Sequence, residues 1–257
     1  MVWPPAENGI KLPALKPVPP RMSNSKHVKT VLITGAAGGL GRSLALACAK
    51  QGMQLVVLDK DRRGLAGLCD EIECSGAPAP GVCEYDLVAL GPDQCDELVS
   101  GIVEAYGQLD GLVHCATRFD GLQPLDQVAG DAWLGHMQVN LNAPWLLTRT
   151  ALPALRDQGG AVVFAINDDA ARGKAYWGPY GTSQSALQTM VTMLFEECEG
   201  TPCRVYGINP GPMRTGVRAK AFHTEDPSSV PSPDRAAGKF LDAVLGKCAA
   251  GPALQLD

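Results

Sequence analysis

The sequence predicts one α/β domain, a doubly wound parallel sheet with helices on both faces. Three observations carry this. Short apolar runs alternate with longer segments of helical period, the pattern of successive βαβ units. The runs are short and strongly apolar, as strands buried on both faces should be. A glycine-rich turn, Gly35-Ala-Ala-Gly-Gly-Leu-Gly41, separates the first run from the first helical segment.

Taken in order, residues 1–25 are set apart as a tail. Pro4, Pro5, Pro13, Pro17, Pro19 and Pro20 forbid regular helix and central strand. A disordered tail or a native start at Met22 is expected, with a proline-rich arm that docks on a partner as the alternative. Residues 26–257 form the domain. Strands are expected at 28–34, 54–58, 81–85, 109–116, 161–166 and 204–208, with a short last strand at 252–256. Helices are expected at 42–51, 62–73, 93–106 and 179–197. The helix over 93–106 is marked by a stripe at Leu98, Val99, Ile102, Val103 and Tyr106. A long helix over 133–155 should kink or break at Pro144.

Composition narrows the function classes. The 257 residues are 46% hydrophobic and 19% charged, with a net charge of −5. An acidic balance argues against nucleic acid or a membrane surface as partner. The nine cysteines contain no Cys-x-x-Cys pair, and none of the four histidines stands at metal-ligand spacing, so no metal site is expected. Free thiols suit a reducing cytoplasm. No apolar run is long enough to span a bilayer.

Gly35, Gly39 and Gly41 point to chemistry as well as to a turn. Glycine permits positive φ and close backbone approach. The helix that follows offers free N–H groups and a positive dipole end to a pyrophosphate. Asp59 closes the second strand, where a carboxylate accepts hydrogen bonds from ribose hydroxyls and repels a 2′-phosphate. NAD(H) is therefore the expected cofactor. NADP(H) is the alternative, because Lys60 and Arg62 follow at once.

Tyr180-Gly-Thr-Ser-Gln184, read with Thr34-Gly-Ala-Ala-Gly-Gly-Leu-Gly41, resembles the signature of the short-chain dehydrogenase/reductase family. The resemblance spans residues 34 to 215 and implies a single Rossmann-type domain. It implies that Leu40, Asp86, Leu87 and Ala116 border the cofactor, with Asp86 at the adenine. In Asn209-Pro-Gly-Pro-Met-Arg-Thr215 it assigns Pro210, Gly211, Met213 and Thr215 to the nicotinamide end. Arg214 to Pro231 would be the lid, and this segment resembles that of bacterial YciK-type members. Tyr180 would be the general acid/base and Asn140 its support. Family members assemble as dimers or tetramers, so a homodimer or homotetramer is implied, through a surface including Trp145, Leu146 and Phe195.

The same comparison exposes departures. The family lysine is Gln184. The family serine falls at Asn167 or Asp168. The Asn-Asn-Ala-Gly motif reads His114-Cys115-Ala116-Thr117. A tyrosine without cationic help titrates near pH ~10, leaving roughly 0.1% phenolate at neutral pH. Oxidation, which needs the phenolate, would suffer more than reduction, which needs the phenol. Gln184 can still bond ribose hydroxyls. Asn167 can donate to a carbonyl. Asp168 can do so only if protonated, which Asp169 beside it would favour, but two solvated loop carboxylates are the plainer reading. Lys174 could reach in to replace the lysine. His114 reads as a core histidine or a proton donor, Cys115 as a weak candidate nucleophile, and Trp177 and Phe119 as pocket or core. Two functions follow. One is an NAD(P)-dependent oxidoreductase acting slowly on a small carbonyl or alcohol substrate. The other is a non-catalytic dinucleotide-binding protein, a sensor or assembly subunit.

Overall fold

The computed structural model describes residues 28–167 and 173–255. The proline-rich tail with Met22, and Asp168 and Asp169, lie outside the described residues.

Seven strands form one parallel sheet: β1 (Thr30–Thr34), β2 (Gln54–Asp59), β3 (Gly81–Glu84), β4 (Gly111–His114), β5 (Ala161–Ala165), β6 (Arg204–Asn209) and β7 (Gly251–Gln255). Their order is β3-β2-β1-β4-β5-β6-β7, the doubly wound architecture expected from the alternating pattern. Each strand sends successive side chains to opposite faces. Val31, Ile33, Leu55, Val57, Val113 and Val163 join one core layer. Leu32, Val56, Leu58, Leu112, Val162 and Phe164 join the other.

Helices α1 (Gly39–Lys50) and α2 (Arg62–Cys74) cover the first layer, burying Leu44, Cys48, Leu65 and Leu68. Helix α3 (Pro92–Tyr106) covers the second. So do α5 (Ala143–Asp157) and α6 (Gly178–Glu197), which bury Leu147, Ala151, Leu187 and Val191. Cys48 is buried in the first layer. Cys83, Cys95, Cys198 and Cys203 are buried in the second.

The long segment expected at 133–155 is three pieces: α4 (Gly130–Met137), a π-helical turn (Gln138–Asn142) and α5. Pro144 explains the change. It has no N–H for the carbonyl one turn back, and the widened turn closes through Ala143 N–H to Gln138 O. Pro144 itself sits in the first turn of α5, where proline is tolerated. Leu146, assigned above to an oligomer surface, is instead core, 3% exposed. Phe195 packs partly buried against the same layer, and Trp145 is half-exposed.

Two helices were not anticipated. The short α7 (Gly216–Ala221) falls within the lid segment, and α8 (Pro233–Leu245) precedes β7. The α8 signals are local. Ser232 Oγ caps the Asp234 N–H, Pro233 opens the first turn, and Gly246 ends the helix at φ +69°. Ala236, Ala237, Phe240, Ala243 and Val244 then lie against Leu44 and Ala45 of α1.

Candidate active site

Between β1 and β4 the strand order reverses. In open α/β sheets ligands bind at the carboxyl ends of strands where this happens. Gly35 lies there at φ +67°, and a Cβ on it would sit 2.6 Å from the Ala116 backbone. A Cβ on Gly41 would be 2.2 Å from the Gly35 carbonyl oxygen. These close approaches let the turn fold tightly beneath the start of α1. Its Gly38 N-cap provides no side-chain hydrogen bond, so the first-turn N–H groups of a 12-residue helix are left for an anion.

A cavity of about 530 Å³ runs from this turn to Tyr180. At one end it is lined by Gly35, Gly39, Leu40, Gly41, Asp59, Lys60, Asp86 and Leu87. At the other it reaches Ala116, Thr117, Asn167, Tyr180 and Gln184, with Pro210, Gly211, Met213 and Thr215 along the wall. The missing Cβ volumes and the uncapped helix end fit a dinucleotide.

Local bonds fix these groups. Asp59 accepts the Ala37 N–H at 3.0 Å with one oxygen and the Asp61 N–H at 3.0 Å with the other. Asp86 accepts the Val88 N–H, and its second oxygen is 3.7 Å from Lys60 Nζ. Thr215 caps α7 by accepting the Arg218 N–H at 3.3 Å. Its methyl faces Gly39, where a Cβ would be only 2.9 Å away.

Asn140, on the π-turn, is 1% exposed. Its Oδ1 accepts the Arg118 N–H at 2.7 Å and the Thr117 hydroxyl at 3.3 Å. Its Nδ2 donates to Arg118 O and to Ser183 Oγ, both at 3.0 Å. Ser183 Oγ in turn donates to Tyr180 O at 2.9 Å. Asn140 thus ties the loop after β4 to the helix carrying Tyr180. Gln184, one turn beyond Tyr180, is buried and accepts the Asn167 N–H with Oε1 at 3.1 Å. Its Nε2 donors remain for the cavity that Gln184 lines.

Tyr180 is buried against Phe119 (centroids 5.0 Å apart, edge to face) and Trp177 (5.8 Å). Burial pushes its phenol up to about 12, against a smaller opposite pull from the Thr117 hydroxyl. The phenol therefore keeps its proton at neutral pH.

The same fold recurs in known proteins. The short chain dehydrogenase family model matches residues 29–226. The chain belongs to this family. Within it, the YciK oxidoreductase of Escherichia coli K12 is 33% identical over 206 residues, covering 80% of this chain and 81% of that protein. L-rhamnose 1-dehydrogenase (NAD(P)(+)) of Azotobacter vinelandii is 29% identical, with 85% and 84% covered. A Shigella flexneri short chain dehydrogenase solved with NADP superposes with a TM-score of 0.83 at 30% identity, covering 88% of this chain and 95% of that one. The chain is thus a YciK-type member of the short-chain dehydrogenase/reductase family, a family of NAD(P)-linked oxidoreductases.

Several other short-chain dehydrogenase positions raised by the sequence resolve differently. His114 is a core residue: its Nε2 lies 2.9 Å from Thr148 Oγ1 and its ring stacks on Phe164. Burial lowers it to about 3, so it stays neutral. Burial raises the Cys115 thiol far above its ordinary range, which removes it as a nucleophile. Lys174 is exposed and does not line the cavity. Trp177 and Phe119 do line it while packing on Tyr180. Among the described residues no group of three or more His, Cys, Asp or Glu could hold a metal, and no helix is long and apolar enough to cross a membrane.

Sequence reasoning missed the basic side chains at the Tyr180 end. Arg118 lies over α4, where a Cβ on Gly135 would be 2.0 Å from its guanidinium, and pairs with Asp120 at 2.8 Å. Arg218 and Lys220 enter from α7. No local pattern announces them, since the loop after β4 and α7 are far apart in sequence and meet only at this cavity.

Proposed function

We propose that the chain is an NADP(H)-dependent reductase of a small carbonyl substrate, with Tyr180 as proton donor. One observation carries this reading: a single cavity joins the glycine turn to Tyr180, so cofactor and substrate share one chamber. The first-turn N–H groups of α1 would hold the pyrophosphate, Asp86 and Leu87 the adenine side, and Gln184 a ribose hydroxyl. Thr215 and Met213 would border the nicotinamide. When bound, the nicotinamide supplies the hydride to the carbonyl carbon. Tyr180 would donate its phenolic proton to the carbonyl oxygen, and Asn167, which lines the same cavity, would orient that oxygen. Asn140 holds the Tyr180 segment in position.

The expectation for NAD(H) is replaced here by NADP(H). Both oxygens of Asp59 already accept backbone N–H groups, and Lys60 stands exposed at the same rim. Relatives of this fold were solved with NADP and with NADPH. Reduction is favoured over oxidation because burial, which pushes the phenol up to about 12, keeps in place the proton that reduction uses and that oxidation needs removed. With Gln184 in place of a cation, turnover is slow, by up to the ~10²–10⁴ that a positioned acid–base group contributes. Nine free cysteines suit a reducing, cytoplasmic setting.

The test is calorimetric titration with NADPH and with NADH, followed by a carbonyl turnover screen. Tighter NADPH binding with slow reduction supports the reading. Failure to bind either cofactor overturns it, and binding without turnover returns the non-catalytic alternative.

A further inference from the structure

The Tyr180 end of the cavity carries three basic side chains in a chain that is acidic overall. Arg118, Arg218 and Lys220 all line it. Arg218 is neutralised by Glu225 through two bonds of 2.5 Å and lies over the Phe222 ring at 4.6 Å. Arg118 is paired with Asp120 at 2.8 Å. Lys220 Nζ donates to the Phe119 carbonyl oxygen at 3.3 Å, an acceptor without net charge.

Among the described residues Asp120 is the one carboxylate lining this end. Burial would raise it, but the Arg118 hydrogen bond and the charges of Arg118, His136 and Lys220 hold it below the usual carboxylate range. Among the described residues two permanent cations thus face one anion, and His136 Nδ1 lies 3.8 Å from that carboxylate. This positive excess sits beside an aromatic wall. Phe119 meets Trp177 at 5.5 Å, and Trp177 meets Phe222 at 6.3 Å. An apolar box with one uncompensated ammonium at its rim selects a compound with an apolar body and one acidic group.

We propose that the substrate is a carbonyl compound bearing a carboxylate and a ring-sized apolar body, and that Lys220 on α7 selects the carboxylate. This rests on the reductase reading above. Lys220 lies at the Phe119 end, away from the first turn of α1 where the cofactor phosphates would bind, so its role is toward substrate. Because α7 belongs to the lid segment, the same contact would draw the lid onto an acidic substrate.

The test uses the NADPH-loaded full chain and three probes, acetylbenzoate, benzoylformate and phenylpyruvate, each against its carboxamide. Calorimetry is run on wild type, Lys220→Met and Lys220→Arg. We expect at least one acid to bind about tenfold or more tighter than its amide, as an ion-paired hydrogen bond provides. Lys220→Met should erase that preference, Lys220→Arg should keep most of it, and NADPH affinity should not move. Lys220 is exposed, so neither substitution threatens the fold. Acids that bind no better than amides, a preference that survives in Lys220→Met, or loosened NADPH binding in its place would each overturn the inference. NADPH oxidation is read separately: selective acid binding without turnover leaves the charge selection standing and removes the reductase reading.

Discussion

Gln184 and Asn167 are hydrogen-bonded to each other: the Gln184 carboxamide oxygen accepts the Asn167 N–H at 3.1 Å. Gln184 stands where the resemblance places the family lysine, and Asn167 is one of the two positions, with Asp168, where it places the serine. This bond ties the lysine position to the end of β5. A lysine at 184 could not accept this bond, so glutamine gains a fixed β5–α6 connection where the family has a charge.

Gln184→Lys is accordingly expected to trade stability for rate. A cation one turn from Tyr180 lowers its pKa from about 12 and should raise alcohol oxidation by about 10²-fold, the lower range for a positioned acid–base group. The orphaned Asn167 N–H should cost about 1–3 kcal/mol. Steady-state rates and urea unfolding of the same variant read both effects.

Gly41→Ala should disable the cofactor end. The new methyl would meet the Gly35 carbonyl oxygen at 2.2 Å, a backbone atom with no rotamer to yield. Overpacking of this kind costs about 1–3 kcal/mol, and the turn must open to relieve it. Thermal unfolding should fall and NADPH titration should lose at least tenfold in affinity. Unchanged binding would show that the turn does not grip the phosphates.

Lys60→Met should weaken NADPH binding while leaving NADH nearly untouched. Lys60 is the cation at the rim beside Asp59, 3.7 Å from Asp86. The ratio of the two dissociation constants measures this directly. Equal losses for both cofactors would place Lys60 on a feature they share.

His114 predicts a component of acid lability. Its folded value, about 3, lies below the ordinary 6.5. Between these values the unfolded chain binds a proton that the folded chain refuses, so stability falls as pH drops from about 6.5 toward 3. One such group contributes a slope of up to about 1.4 kcal/mol per pH unit. His114→Gln should flatten that limb in urea melts taken across this window.

Much of the fold was legible because each strand carries its own apolar run and the glycine turn is local in sequence. The α8 helix was legible too, in Ser232-Pro233 and the Ala236, Phe240, Ala243 spacing, although no element is expected there above. Other features have no local signature. The π-turn at Asn140 depends on Pro144 meeting a helix already packed. Arg118 and Lys220 share a cavity only because the loop after β4 and α7 meet across the sheet edge. Thr215 could be matched by motif, yet its double contact, capping α7 and touching Gly39, exists only in three dimensions.

The buried thiols turn the two core layers into separate clocks. Cys48 lies beneath α1 on one face of the sheet, while Cys83, Cys95, Cys198 and Cys203 lie on the other. Burial pushes Cys48, Cys83, Cys95 and Cys203 up to about 12, so a thiolate-seeking reagent meets almost no reactive sulfur there until a layer parts. Alkylation at Cys48 therefore times the lifting of the α1–α8 side, and alkylation at Cys95 or Cys203 times the α3–α5–α6 side. Mass spectrometry of partly labelled protein would read which half of the molecule breathes first, with no cysteine engineered into the chain.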